Sequence, residues 1–518
     1  MARSAVQVSP WPGIAATGVL VAAILAAFVA IGLRVEPGTG LRVAEWQAIR
    51  FTLFQAFLSA LFSVVLAVPV ARALARRKVP GHALLVTLLG APFILPVIVA
   101  VLGILAIFGR SGWVNLALDA AGLPEVSIYG AHGVILAHVF FNMPLATRLI
   151  LQGWQAIPAE QFRLVGQLGL APGAVFRTLE WPVLRQVVPG AFALILVICL
   201  TSFAVALTLG GGPRATTIEL AIYQAFRFDF DLGRAAVLSL LQLAVAGVAA
   251  VIALWILPPL VLQSGRDRVQ RRWDRTGRLP RLLDGFWIIA ATLFLLLPLL
   301  SVVLSGLAGL VQLPASIWPA TLTSIWVAVV SAALLMAMAL PIAAWLAQAR
   351  WGGAETLTLL GLVASPLMIG TGWFILIFPW ASPVAFALPV TAFVNAMMAL
   401  PFAVRILLPA TRQVFTDYGR LSAGLGLRGW PFWRIVLLPR LRPQMGFAAG
   451  LAAALSVGDL GVITLFADPE VATLPLQMYR LMGSYRTEAA AGAALLLLAL
   501  AFGMFWICDM WGRRHAEG

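Results

Sequence analysis

Glu160-Gln-Phe-Arg-Leu-Val-Gly-Gln-Leu-Gly169, running on to Leu179-Glu-Trp-Pro182, is answered later in the chain by Asp417-Tyr-Gly-Arg-Leu-Ser-Ala-Gly-Leu-Gly426 and then Leu437-Leu-Pro439. The offset is 257, and it also carries Pro144 and Arg148 onto Pro401 and Arg405, and Phe176-Arg177 onto Trp433-Arg434. Gly, Pro and Arg kept in step over about forty residues mark a duplication. Upstream, Pro69 and Pro341 match at an offset of 272, so the two copies differ by a short deletion between their third and fourth apolar blocks. Each quoted stretch reads as a helix, a glycine break, a second helix, and a proline where the next helix direction begins. Such a unit forms a compact knob. Repeated once per half, it suits a partner that is itself a dimer.

The rest of the chain says where the knobs sit. Of 518 residues, 62% are hydrophobic and 11% charged, against roughly half and a quarter in soluble domains. The apolar residues come in blocks such as Gly13–Leu33, Leu84–Phe108, Phe286–Leu310 and Gln444–Phe466. About 20 such residues in a helix cross the ~30 Å of a bilayer's hydrocarbon. The expected fold is therefore an all-α polytopic membrane protein of about twelve spans: 13–33, 50–74, 83–108, 131–151, 187–209, 234–262, 285–310, 318–347, 355–379, 384–409, 444–467 and 489–509. The first block is long for a signal peptide and has no small-residue cleavage site before Arg34, so it reads as a retained helix. Two modules of six spans, 1–263 and 285–518, flank a basic linker at 264–284, with the knobs in loops 152–186 and 410–443. Six spans per module leave both in one orientation, as parallel repeats about an axis along the membrane normal.

The net charge is +15, but its placement argues against nucleic acid. Arg266, Arg268, Arg271, Arg272, Arg275, Arg278 and Arg281 crowd the linker. With both termini inside, the Lys and Arg residues concentrate on the cytoplasmic ends of the spans. The basicity thus orients the chain and meets anionic lipid head groups. Cys199 and Cys508 build no disulfide framework. His82, His132, His138 and His515 lack metal-ligand spacing, so neither metal nor cofactor is expected. A phosphate-cradling loop needs G-x-x-x-x-G-K-[ST]. Lys78 is the only lysine and follows Ala-Arg-Arg. ATP, if used, must bind another chain.

The duplicated loop resembles the EAA loop by which permeases of ATP-binding-cassette (ABC) importers dock on their ATPase subunits. The resemblance covers nearly the whole chain, including the fused two-module layout. It implies ATPase-coupling roles for Glu160, Arg163, Gly169, Pro182, Asp417, Arg420, Gly426 and Pro439. The loop departs from that family at one point: Arg163 and Arg420 stand where the family places a glutamate, and the acids Glu160 and Asp417 come three residues earlier. Thr201–Ala225, Ser456–Phe466, Thr473-Leu-Pro-Leu and Gly483-Ser-Tyr-Arg486 look like the permeases of bacterial thiamine/thiamine pyrophosphate importers. That resemblance implies a homodimeric cytoplasmic ATP-binding subunit, a periplasmic solute-binding protein and the bacterial inner membrane. Ferric-iron permeases share the fused layout and are the alternative.

The residues themselves are less explicit about the solute. Asp459 lies in the eleventh span, where an ionisable group is rare and often functional. It would attract a cation, or else cap a backbone amide. Asn142, Thr201, Ser202 and Ser456 are further polar candidates on the inner helices, and such residues equally serve as helix–helix glue. The external segment Gly210–Asp231 reads as a flexible turn followed by amphipathic Ile218–Phe226, either a scoop for a partner or a cap over the pathway. An ion-coupled secondary transporter would want several buried carboxylates and would give the knobs no purpose. A membrane enzyme would want a cluster of His, Asp, Glu or Cys at one depth.

Overall fold

The computed structural model describes residues 8–35, 40–77, 81–82, 85–86, 89–90, 94–210, 212–256, 277–349, 364–466 and 471–513. The first half comprises α1 (Trp11–Leu33), α2 (Val43–Arg76), α3 (Val97–Phe108), α4 (Trp113–Ala120), α5 (Ala131–Gln155), α6 (Ala159–Gln167), α7 (Pro172–Val175), α8 (Trp181–Leu200), α9 (Ala204–Leu209), α10 (Ile218–Arg227) and α11 (Leu232–Ile256). The second comprises α12 (Arg278–Gly309), α13 (Ile317–Gln348), α14 (Pro366–Ile377), α15 (Ala387–Gly424), α16 (Trp430–Phe432), α17 (Leu438–Val457), α18 (Gly461–Phe466), α19 (Leu474–Gly483) and α20 (Thr487–Arg513). No strand occurs among the described residues.

Eleven of these helical stretches are long and apolar enough to cross a membrane. The ninth expected span, 355–379, is described only as α14, which is shorter. Most of the linker, including Arg266 to Arg275, lies outside the described residues. Its end is helical, since α12 already begins at Arg278.

Each half packs four long helices together: α2, α5, α8 and α11 in the first, and α13, α15, α17 and α20 in the second. The leading helices cross over. Helix α1 lies on α13 and α14 of the second half, while α12 lies between α20 of its own half and α2 and α3 of the first. Glycines permit the close approach. A Cβ on Gly372 of α14 would stand 2.6 Å from Ala27 of α1, and one on Gly103 of α3 would stand 2.5 Å from the Pro298 carbonyl of α12. In lipid, where apolar surface alone gives little drive to associate, such small-residue contacts hold helices together.

The fifth and eleventh spans, each expected as one helix, are broken at equivalent places. Helix α8 stops at Leu200 and α9 resumes at Ala204; α17 stops at Val457 and α18 resumes at Gly461. A break at membrane depth frees carbonyls that lipid would leave unsatisfied. In the first half two glutamines supply donors: Gln55 Nε2 reaches the Cys199 carbonyl at 3.0 Å and Gln242 Nε2 the Leu200 carbonyl at 2.9 Å.

Candidate functional site

The two knobs come first. Helix α6 ends at Gln167 with Leu168 as its C-cap, and Gly169 follows with φ +64°; α15 ends at Gly424 with Leu425 as its C-cap, and Gly426 follows with φ +69°. This is the left-handed helix stop that glycine adopts freely. In both copies a back-bond closes the stop, Leu170 N to the Val165 carbonyl at 3.3 Å and Leu427 N to the Ser422 carbonyl at 2.9 Å. The copies differ on their approach. The first is set off from α5 at Pro158, whose ring and missing N–H disfavour a continuous helix. The equivalent position holds Phe415, and α15 runs straight through to Gly424.

Beyond each glycine the chain passes through a π-helical turn, Phe176–Glu180 and Trp433–Leu437, directly before α8 and α17. Pro182 and Pro439 have no N–H to give the carbonyl four residues back. The turn widens, and Trp181 N bonds to the Phe176 carbonyl while Leu438 N bonds to that of Trp433. Glu160, Arg163, Asp417 and Arg420 are all exposed, as are the paired leucines Leu164 and Leu421, Leu168 and Leu425.

Between the halves the broken spans border a cavity of ≈ 400 Å³. Asn142, Thr201, Ser202, Ser456 and Asp459 all line it. Asn142 Nδ2 donates to the His138 carbonyl at 2.9 Å and to Cys199 Sγ at 3.4 Å. Asn395, on the equivalent helix, donates to Ser456 Oγ at 3.0 Å, and Ser456 is the counterpart of Cys199 at the 257 offset. Thr201 Oγ1 turns back to the carbonyls of Val197 and Ile198, both at 3.3 Å. These polar groups therefore hold helices together while bordering the open space. Asp459 does two things at once. Its Oδ1 accepts from Gly461 N at 3.1 Å, whereas Oδ2 has no hydrogen bond of normal geometry, with Val462 N and Asn395 near the carboxylate.

Three polar lining residues were not pathway candidates in the sequence reading: His138, Asn395 and Glu219. The repeat offset carries His138 onto Asn395, a polar pair that a register search would have found. Glu219 has no such signal. It sits at the second position of α10, a short helix outside the spans that packs against α2, α11, α14 and α18. Thr217 caps that helix by accepting from Leu220 N at 3.2 Å, and Ile218 N donates to Thr52 Oγ1 at 2.9 Å. The second half repeats this pin, Leu474 N to Ser324 Oγ at 2.8 Å, and Thr52 and Ser324 stand at the 272 offset. Glu219 is fully buried, and neither carboxylate oxygen has a hydrogen bond of normal geometry. Burial pushes its carboxyl up to about 8, with nearby Ser365 and Gln242 opposing the rise.

An all-helical membrane protein of two related halves, with a polar-lined cavity between them and a matched surface knob on each, has the build of a permease. No family model matches the chain. Curated relatives do. It is 39% identical over 529 residues to the thiamine transport system permease protein ThiP of Salmonella typhimurium, covering 98% of this chain and 97% of that protein. It is 38% identical over 525 residues to the ThiP of Escherichia coli, with the same coverage. The Brucella abortus ThiP is 41% identical over 458 residues, covering 86% and 84%. The chain belongs to the family of thiamine transport system permease proteins.

Proposed function

We propose that this chain is the membrane-spanning subunit of an ABC importer that moves thiamine and its phosphates from periplasm to cytoplasm across a bacterial inner membrane. The near full-length likeness to the ThiP proteins carries the reading. A periplasmic binding protein delivers the solute. A cytoplasmic ATPase homodimer supplies the work, one subunit seated on each knob. The exposed leucines on both knobs support this, because a soluble partner must cover apolar surface that water otherwise touches. The two knobs share one side of the membrane, the side of both termini, which the arginine-rich linker assigns to the cytoplasm. Glu160, Arg163, Asp417 and Arg420 then face the ATPase as charged rims, while Gly169, Gly426, Pro182 and Pro439 shape the backbone. Solute passes between the halves, by way of the cavity bordered by Asn142, Thr201, Ser202, Ser456 and Asp459.

Deleting the gene should abolish uptake of radiolabelled thiamine at submicromolar supply, and this chain on a plasmid should restore it. Undiminished uptake in the deletion strain, with no second thiamine system present, would refute the reading.

A further inference from the structure

Among the described residues four carboxylates are buried: Glu45, Glu180, Asp284 and Glu219. Three are ion-paired. Glu45 meets Arg234 at 2.8 Å, Glu180 meets Arg72 at 2.7 Å, and Asp284 meets Arg77 at 2.7 Å. With 35 Lys and Arg against 20 Asp and Glu in the chain, cations are in ample supply. Even so, Glu219 has none, and no Lys or Arg is among the described residues lining its cavity. A buried carboxylate left without a counter-charge is costly and is held where something else repays it.

The repeat itself does not require this acid. Aligning the N-cap positions Thr217 and Thr473 puts Pro475 opposite Glu219, and α19 is pinned to its half without a carboxylate. Asp459 is likewise unmatched, with Ser202 as its counterpart. Two acids, one contributed by each half, thus depart from the shared pattern at one cavity. Each has at least one oxygen with no hydrogen bond of normal geometry.

We propose that Glu219 and Asp459 form a binding site for an organic cation inside the permease, between its halves. A metal ion is the poorer occupant, because among the described residues no three His, Cys, Asp or Glu side chains come together as a metal site. The ≈ 400 Å³ of space lies within the ~300–1,000 Å³ range of small-molecule pockets. Phe141 and Phe203 also line it, and aromatic faces attract desolvated cations. Burial favours the protonated form of Glu219. A bound cation favours the ionised form, and the proton leaves to water. Naming the thiazolium ring of thiamine as that cation rests on the transport reading above. It is the charged element that thiamine and its phosphates share.

The test uses the solubilised permease–ATPase complex without the binding protein, and equilibrium dialysis of radiolabelled thiamine. The N-methylated hydroxyethyl-methylthiazolium ion should compete, and its uncharged parent thiazole should compete about tenfold more weakly or not at all. Glu219→Gln and Asp459→Asn should each weaken thiamine binding about tenfold, ~1.4 kcal/mol. Glu125→Gln, an exposed carboxylate paired with Arg110 at 3.3 Å, should bind as wild type does. The analogue comparison needs only wild-type protein, so it decides even where a variant fails to fold. Equal competition by the neutral thiazole, or wild-type affinity in both cavity variants, overturns the site. Proteoliposome uptake with binding protein and ATP separates the two readings. Uptake without detectable binding to the complex removes the site alone, and absence of uptake removes the transport reading and the site with it.

Discussion

Replacing Gly169 or Gly426 isolates backbone conformation from packing. Both are left-handed, at φ +64° and +69°, and a Cβ built on either meets no atom within 4 Å. Nothing needs to move aside, so the whole penalty is the strain of an L-residue in the left-handed region, ~1–2 kcal/mol, greatest for a branched side chain. At ~1.4 kcal/mol per factor of ten, valine should lower the population of the correctly turned knob by about five- to thirtyfold. Alanine should fall at the lower end, and asparagine, which tolerates this region, below it. Gly173, also with no atom within 4 Å of its Cβ but without a positive φ, is the internal control: Gly173→Ala should be silent. The assay is recovery of the ATPase with tagged permease from membranes of matched permease content, with thiamine uptake alongside. The sites belong to separate halves, so the double valine variant should combine both losses. ATPase recovery and uptake within about twofold of wild type in both single valine variants would refute the reasoning.

Other expectations concern the fold, the charge and the topology. Gly372→Leu forces a side chain into Ala27, 2.6 Å from its Cβ, and should lower the melting temperature in detergent by several degrees; an unchanged transition would mean that α1 is loosely held. Glu219 has its carboxyl raised from 4.5 to about 8 in the folded chain, so the fold binds more protons than the unfolded chain between those values, and stability falls as pH rises through that window. Glu219→Gln removes that loss: its melting temperature should gain on wild type from pH 5 to pH 8, and a gap constant across this range would contradict the assignment. A cysteine placed at Thr276 in a chain lacking Cys199 and Cys508 should resist an impermeant thiol reagent in spheroplasts and react once the membrane is opened; efficient labelling in intact spheroplasts would invert the topology.

Much of the architecture was legible because lipid imposes a simple rule of length and apolarity, and because duplication let one half vouch for the other. The knob glycines are the clearest example, since helix stop, offset and backbone angle coincide. What could not be read was long-range or local in an unhelpful way. The crossing of α1 and α12 depends on which glycine faces which helix, and an apolar block looks the same beside either half. The breaks after Leu200 and Val457 fall inside continuous apolar runs, where Thr201-Ser202 and Gly458-Asp459 are weak stops. Pro158 distinguished the two knobs, yet Pro401 and Pro409 sit inside α15 without ending it, so proline alone was an unreliable guide. Glu219 lay in a stretch that looked external and amphipathic. A carboxylate in such a segment is ordinarily solvated, and only the packing of α10 against the spans removes it from water.

The crossed leading helices set a timetable for synthesis. Of the described helices α1 enters the bilayer ahead of its partners, for it rests mainly on α13 and α14, with a smaller contact on α11. Between Leu33 and Ile317 lie more than 280 residues, roughly 15 to 60 s of translation at ~5–20 residues per second. Throughout that interval α1 must stay in the membrane without its main partners, with only the smaller contact on α11 forming before α13 arrives. Helix α12 then inserts beside α2 and α3 but must wait for α20, its neighbour in its own half, until the end of the chain. These two helices have the highest mean hydropathy of the eleven long apolar stretches described, a composition suited to a segment that must remain in the membrane before its neighbours exist.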